Sequence, residues 1–189
     1  MLKIVGGKHR GRSIATPEGQ NTRPTSNRAR ESLFNILMHA SWTADGTSPL
    51  IEARVLDAFA GSGALGLEAL SRGASHATFL DNDPEAIKLI GENLRKLGET
   101  AAAKVIRADA TRPPPGREAC DLVFLDPPYR SGLANPALTA LVEAGWLRPG
   151  AIASVELSNS EDPIPPAGFE AIDERRYGAA KIVILRRSK

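Results

Sequence analysis

The sequence predicts an α/β fold, with a mostly parallel sheet carrying helices on both faces, and three observations predict it. After residue 53, short apolar strand-like runs alternate with amphipathic helical stretches, the pattern of a parallel sheet built from crossover units. The first of these runs, Val55-Leu56-Asp57-Ala58-Phe59-Ala60, breaks into Gly61-Ser62-Gly63-Ala64-Leu65-Gly66. Such a strand, loop and helix start lets bare backbone approach a ligand whose charge or polarity suits helix N–H groups. Third, Asp57, Asp81, Asp109 and Asp126 stand at or just past the ends of four successive predicted strands. Any one of them could cap a turn, but four in register along one sheet edge make a site.

Composition narrows the class. The chain has 189 residues, 42% hydrophobic and 24% charged, enough apolar material for one compact domain and a small appendage. Its single cysteine, Cys120, lies in an apolar run; this excludes an internal disulfide, fits a reducing compartment and reads as a buried core residue. No uninterrupted apolar run approaches membrane-spanning length, and the N-terminus lacks an apolar leader core, so a monomeric cytoplasmic protein without a membrane partner is expected. Net charge is only +2, yet residues 1 to 30 hold seven Lys or Arg against one Glu. That segregation divides the chain into a basic arm over 1–26, suited to phosphates, and a body over 27–189 with a different task.

In chain order, residues 2–5 and 12–15 are short strand-like pieces around a wide loop with Lys8, His9 and Arg10 at its tip. The spacing gives His9 no acid, His or Cys at ligand distance, so it reads as a phosphate or solvent contact and no metal is assigned. Residues 16–27 are turn-rich, and a helix is predicted from about Arg28 to His39 with Leu33, Ile36, Leu37 and Ala40 on its buried face. Arg28 and Arg30 fall in its first turn, where the helix dipole disfavours cations and an anion would relieve the conflict. Residues 41–53 form a polar loop with a turn at Asp45-Gly46. Strands follow at 77–80, 104–107, 121–125 and 152–157. Helices lie between them, from Pro84 to Gly98 and around Pro136 to Ala144, and two last strands near 169–175 and 181–186 pair as a hairpin about Gly178.

A glycine loop followed by an acid about 20 residues on serves nicotinamide and S-adenosylmethionine cofactors alike. Asp57 separates them: a pyrophosphate gains nothing from a carboxylate there, whereas an ammonium and a sulfonium do, so the cationic cofactor is favoured. The run Asp126-Pro127-Pro128-Tyr129 is more specific. Its prolines stiffen a turn that leaves carboxylate and carbonyl acceptors facing the cleft, and Tyr129 adds a flat ring. Two acceptors and a ring suit a planar base with an exocyclic amine extruded from its stack.

On these residues the chain resembles a known family. Asp57-x-Phe59-x-Gly61-x-Gly63-x-x-Gly66 is similar to the first motif of Rossmann-like class I S-adenosylmethionine-dependent methyltransferases, and Asp126 to Tyr129 to their amine-methylating motif. The arm Ile4 to Arg12, the segment Thr22-Arg23-Pro24-Thr25 with Arg28, Arg30 and Glu31, and the run Gly61 to Gly73 resemble the bacterial 16S ribosomal RNA guanine-N2 methyltransferases of the RsmD type. The resemblance implies a seven-stranded sheet and methylation of a guanine in 16S rRNA within an assembled or assembling small subunit. An adenine-N6 methyltransferase on DNA or RNA is the nearest rival. It further implies that Asp57, Phe59, Gly61, Ser62, Gly63 and Gly66 hold the methionine end of the cofactor. Asp81 with Asn82 would hold the ribose, and Asp109 with Ala110 the adenine. Asp126, Pro127, Pro128 and Tyr129 would hold the target base, with Lys8, Arg10, Arg12, Arg23, Arg28 and Arg30 on RNA.

Overall fold

The computed structural model describes residues 2–17, 27–40, 42–43, 46–161 and 165–188, the first two residues of the 27–40 stretch by backbone alone. Arg23, the turn-rich 18–26 and the Asp45 half of the expected turn lie outside the described residues, as does the Arg28 side chain. A two-stranded antiparallel hairpin, β1 (Leu2–Lys3) and β2 (Ser13–Ile14), opens the chain, with a 3-10 turn at Gly7–His9 between its strands. Then come α1 (Asn27–Met38), β3 (Arg54–Ala58), α2 (Ala64–Ser71), β4 (His76–Asp81), α3 (Pro84–Leu97) and β5 (Ala103–Arg107). The rest is β6 (Cys120–Leu125), α4 (Ala134–Glu143), β7 (Leu147–Ser158), β8 (Phe169–Tyr177) and β9 (Ala180–Arg187).

These strands form a seven-stranded sheet in the order β5-β4-β3-β6-β7-β9-β8, parallel from β5 to β7 and antiparallel at β9 and β8. Alternation along the strands sorts side chains onto two faces. Leu56, Leu80, Val123 and Val155 pack with Ala137, Leu138 and Leu141 of α4. Val55, Ala77, Phe79 and Phe124 face the other way, against Leu33, Phe34 and Leu37 of α1, Leu65, Leu67 and Ala69 of α2, and Ile90 and Leu94 of α3. Cys120 is buried in the first of these layers, and burial pushes its thiol up to about 12. Helix α3 begins and ends as its sequence dictates. The Asp83 side chain accepts from Glu85 N at 2.9 Å, Pro84 occupies the first turn, and Gly98 closes the helix at φ 76°. Strand β7 starts at Leu147 rather than 152. A register irregularity against β6, between Cys120 and Leu122, lets Arg148-Pro149-Gly150 pass without breaking the strand, the place where a proline is tolerated in a sheet.

The described part of the basic arm, residues 2–17, is docked on the body. Leu2, Ile4 and Ile14 are buried with Phe79, Ile90 and Leu94. Val5 N and Gly6 N donate to the fully buried Glu68 carboxylate of α2, each at 2.8 Å. Here two expectations are corrected. His9 is no phosphate or solvent contact: it is buried, its backbone N–H donates to Ser71 Oγ at 3.0 Å and its Nε2 bonds Glu99. Arg12 Nη1 lies 3.2 Å from His9 Nδ1, so that nitrogen accepts and Nε2 carries the proton toward the glutamate. Arg30, expected on RNA, is 1% exposed. It shares a helix face with Leu33, Phe34 and Leu37 by the i, i+3, i+4, i+7 rule, which turns it inward. There its Nε stands 3.6 Å from Glu68 Oε2 and its Nη2 donates to the Lys3 carbonyl. Burial pulls the Arg30 pKa down and Glu68 opposes that shift. Arg72 completes the group, donating to Glu68 at 2.7 Å while its guanidinium lies 5.3 Å from the Phe34 ring centroid.

Candidate active site

Between β3 and β6 the strand order changes direction, because the chain leaves β3 toward β4 on one side and later returns to β6 on the other. A crevice opens at such a point, at the carboxyl ends of the strands. Ala58 is level with Leu80 and with Leu125, and Asp81 with Arg107, so the acids that follow these positions share one edge.

The glycine loop is fastened on three sides. Leu80 O accepts from both Phe59 N (3.1 Å) and Ala60 N (3.0 Å) as Phe59 takes a φ of 94°, a strained value for a residue with a side chain. Asp81 Oδ2 accepts Gly61 N at 2.7 Å and its Oδ1 accepts Asp83 N at 2.9 Å. Asn93 of α3, 1% exposed, donates to Ser62 O at 3.0 Å and exchanges hydrogen bonds with Ala15 of the arm at 2.8 and 3.0 Å. The glycines divide the labour. Gly61, at φ 52°, would point a Cβ into open space, leaving its backbone bare toward the crevice, whereas a Cβ on Gly66 would overlap the Phe79 ring. The third glycine of the loop therefore serves the seating of α2 on β4.

Asp57 is 2% exposed beneath this loop, and its Oδ2 accepts Gly66 N at 2.9 Å. Burial raises its pKa to about 8; the Gly66 N–H opposes the shift and the nearby Asp126 and Asp81 charges add to it. Asp57, Asp81 and Asp126 thus lie within electrostatic reach of one another in a crevice that favours a cation. Asp109 stands further along the edge, exposed, with Thr111 N and Oγ1 each donating to its Oδ1 at 2.8 Å; these bonds hold its carboxyl below the ordinary range. Asn82 is exposed and its carbonyl accepts Arg107 Nε at 3.2 Å, while the Ala110 side chain is packed into the core.

Asp126 follows β6 directly, and Pro127 is buried while Pro128 and Tyr129 are exposed. The turn is held by Ser131 N on Pro128 O at 3.2 Å and by Glu161, whose Oε2 accepts Arg130 N at 3.4 Å and, at the end of β7, Ser158 N at 2.9 Å. Tyr129 borders a cleft of about 130 Å³, and its hydroxyl donates to Glu156 Oε1 at 2.6 Å. Pro127, Asn135, Glu156 and Glu161 also line this cleft. Glu156 was absent from the sequence-based site, although a signal existed: it is a fifth acid near a strand end, in Ala151 to Ser158. Asn93 gave none, since an isolated Asn on a helix reads as surface.

The arm does not reach this edge with its tip. Arg12 Nη1 donates to Leu97 O at 3.3 Å and Nη2 to Lys96 O, and Lys8 Nζ lies 2.8 Å from Glu99. Those carbonyls end α3, a helix of 14 residues that starts at the acidic edge; at 1.5 Å per residue the tip is about 20 Å from the crevice. Lys8 and Arg10 are exposed there.

A seven-stranded sheet of this order, with a glycine loop and a row of acids at its switch point, defines the Rossmann-like class I methyltransferase fold. The chain belongs to the family described as Conserved hypothetical protein 95, whose model matches residues 2–186, and which includes the RsmD-type proteins. It is 36% identical over 182 residues to the ribosomal RNA small subunit methyltransferase D of Haemophilus influenzae, covering 94% of this chain and 89% of that one. To the Escherichia coli protein of the same name it is 37% identical over 180 residues, covering 94% and 85%. The solved structure of the Escherichia coli protein yhhF superposes with a TM-score of 0.82 at 33% identity, covering 99% of this chain and 98% of that one. A Salinibacter ruber RNA methyltransferase solved with S-adenosyl-L-homocysteine shares the fold, with a TM-score of 0.65 at 14% identity over 88% of this chain and 94% of that one.

Proposed function

We propose that this protein transfers a methyl group from S-adenosylmethionine to the exocyclic N2 amine of a guanine in small-subunit ribosomal RNA. It would act in the cytoplasm as a monomer, on an assembled or assembling subunit. The observation that carries the reading is the placement of Asp126-Pro127-Pro128-Tyr129 one strand away from a glycine loop underlain by Asp57. The names of the family's relatives support an rRNA methyltransferase.

The residues fit the cofactor. Bare backbone at Gly61, the buried acid Asp57 and the edge acids Asp81 and Asp109 form a cradle that is polar, acidic and free of side chains where the ligand would rest. When bound, S-adenosylmethionine supplies an electrophilic methyl on a cationic sulfur. Asp57 and the 61–63 loop hold its methionine end, Asp81 with Asn82 the ribose hydroxyls, and Asp109 with the Ala110 backbone the adenine. On the opposite side, Asp126 and the Pro127 carbonyl accept the two amine hydrogens, and Tyr129 stacks on the base. Those acceptors favour a pyramidal nitrogen whose lone pair points at the methyl. They would also stabilise the positive charge that develops on the nitrogen as it takes the methyl group, the C–S electrons remaining with the cofactor's sulfur. Asp126 then holds the proton that the nitrogen sheds.

Nucleosides from methyl-free small subunits treated with the protein and labelled cofactor test this by mass spectrometry. N2-methylguanosine is the expected product, and Asp126→Ala should cut turnover by orders of magnitude with cofactor affinity nearly intact. N6-methyladenosine, or normal turnover by Asp126→Ala, would sink the assignment.

A further inference from the structure

We infer that Arg130 holds the RNA phosphate beside the methylated nucleotide, at the rim of the cleft that takes the base. This rests on the reading of that cleft as the place where a base amine is methylated. Every nucleotide admitted there brings a phosphodiester charge to the mouth of the cleft. The lining offers that charge no cation: it includes the carboxylates of Glu156 and Glu161 but no Lys or Arg. The tip of the arm is about 20 Å away, beyond the far end of α3. Lys181 is level with Leu157 of the lining, yet it is 1% exposed and too deep to meet a phosphate outside.

Arg130 stands where a cation is wanted. Tyr129 before it and Ser131 after it both line the cleft while Arg130 does not, which puts it on the rim rather than in the wall. Its backbone lies in the left-handed region at φ 58°, a conformation costly for a residue with a Cβ and ordinarily given to glycine. An arginine gives the turn nothing that glycine would not, so the outlier points to a task for the side chain. The Arg130 N–H donates to Glu161 Oε2 at 3.4 Å. Its guanidinium, exposed, makes no hydrogen bond or ion pair among the described residues. The turn therefore fixes where the side chain starts and leaves its charge for a ligand. A guanidinium presents parallel N–H donors that match two oxygens of a phosphate.

The test removes the same contact from either side. Synthetic RNA is made with an ordinary phosphodiester or a neutral methylphosphonate 5′ or 3′ of the target guanosine, the flanking 2′-hydroxyl being absent throughout. It is reconstituted with subunit proteins where bare RNA is inert, and kcat/KM is compared. Wild type should lose at least about tenfold at one of the two linkages, the factor for one charge-assisted hydrogen bond. Arg130→Gly should lose as much on ordinary RNA and nothing further at that linkage. Arg130→Lys, which keeps the charge without the fork, should fall between. Because glycine suits the left-handed turn, the thermal midpoint of Arg130→Gly should match or exceed that of wild type, with cofactor affinity unchanged. Full turnover by Arg130→Gly on ordinary RNA, or losses from the variant and the neutral linkage that simply add at both positions, would overturn the inference. Absence of N2-methylguanosine from wild-type reactions on ordinary RNA would instead defeat the underlying reading.

Discussion

Asp57 is the residue whose surroundings most change its chemistry. Unfolded, it titrates in the ordinary carboxyl range; folded, it keeps its proton up to about 8 because burial and the Asp126 and Asp81 charges disfavour the anion. Its contribution to stability is therefore complete below the unfolded pKa and is lost as pH rises through about 8. Thermal melts across that interval should show wild type losing stability with rising pH, and Asp57→Asn, which keeps an acceptor for Gly66 N–H, losing much less. Parallel curves for the two proteins would refute the assignment of that slope to Asp57. At this scale the sequence was legible where chemistry is local. The acids, the glycines and Asp126 to Tyr129 announce themselves by type and spacing. Arg30 and His9 did not, because a cation beside other cations reads as surface until the helix face and the partner acid are known. Glu68 and Glu99, which explain both, lie 38 and 90 positions away in the chain.

Among the elements, the junction of β1, α1 and α2 turns on Glu68. Its carboxylate receives two backbone N–H groups of the arm, Arg72 of its own helix and the guanidinium of Arg30 from α1. Removing it takes their carboxylate partner from the buried Arg30, the half-buried Arg72 and two arm amides, so Glu68→Ala should cost about 3 to 5 kcal/mol in denaturant unfolding. A loss under about 1 kcal/mol would mean the group is solvated and the junction held by Leu2, Ile4 and Ile14 alone. Most elements were legible from periodicity, from Asp83-Pro84 at the start of α3 and from the glycine that ends it. Strand β7 was not fully so: Pro149-Gly150 reads as a turn, and only an irregularity in β7 itself, where Leu147 to Ile152 runs against Cys120 to Leu122 of β6, lets it pass within a strand. The arm's two strands were visible, but their docking was not, since two-residue strands carry no pattern that says what they cover.

For the whole molecule, charge and chemistry sit at opposite edges of the sheet. Lys8 and Arg10 are exposed near the end of α3, while the acids gather where α3 begins. An RNA bound to both would span about 20 Å of protein, which suits a folded substrate better than a short single strand. Replacing Lys8 and Arg10 by Ala should weaken RNA binding and flatten its salt dependence, by about 0.7 to 0.9 in log–log slope for each phosphate that is no longer neutralised. A filter-binding titration with an unchanged slope would remove the arm tip from the RNA interface. Arg12 belongs in a separate variant, because it also satisfies the last carbonyls of α3.

The Asn93 bridge bears on how the protein is made. The arm leaves the ribosome ahead of the elements it docks on, and its anchors lie 62 to 90 residues downstream: Glu68 and Ser71, then Asn93, then Glu99. Closing loops of that length is disfavoured until the partner elements exist. During synthesis the arm's contacts with Asn93 and Glu99 therefore cannot form until α3 and the residues just after it have emerged. The same Asn93 that fastens Ala15 also fastens Ser62, so the nascent glycine loop gains its third tether at the step that retires the arm from solution.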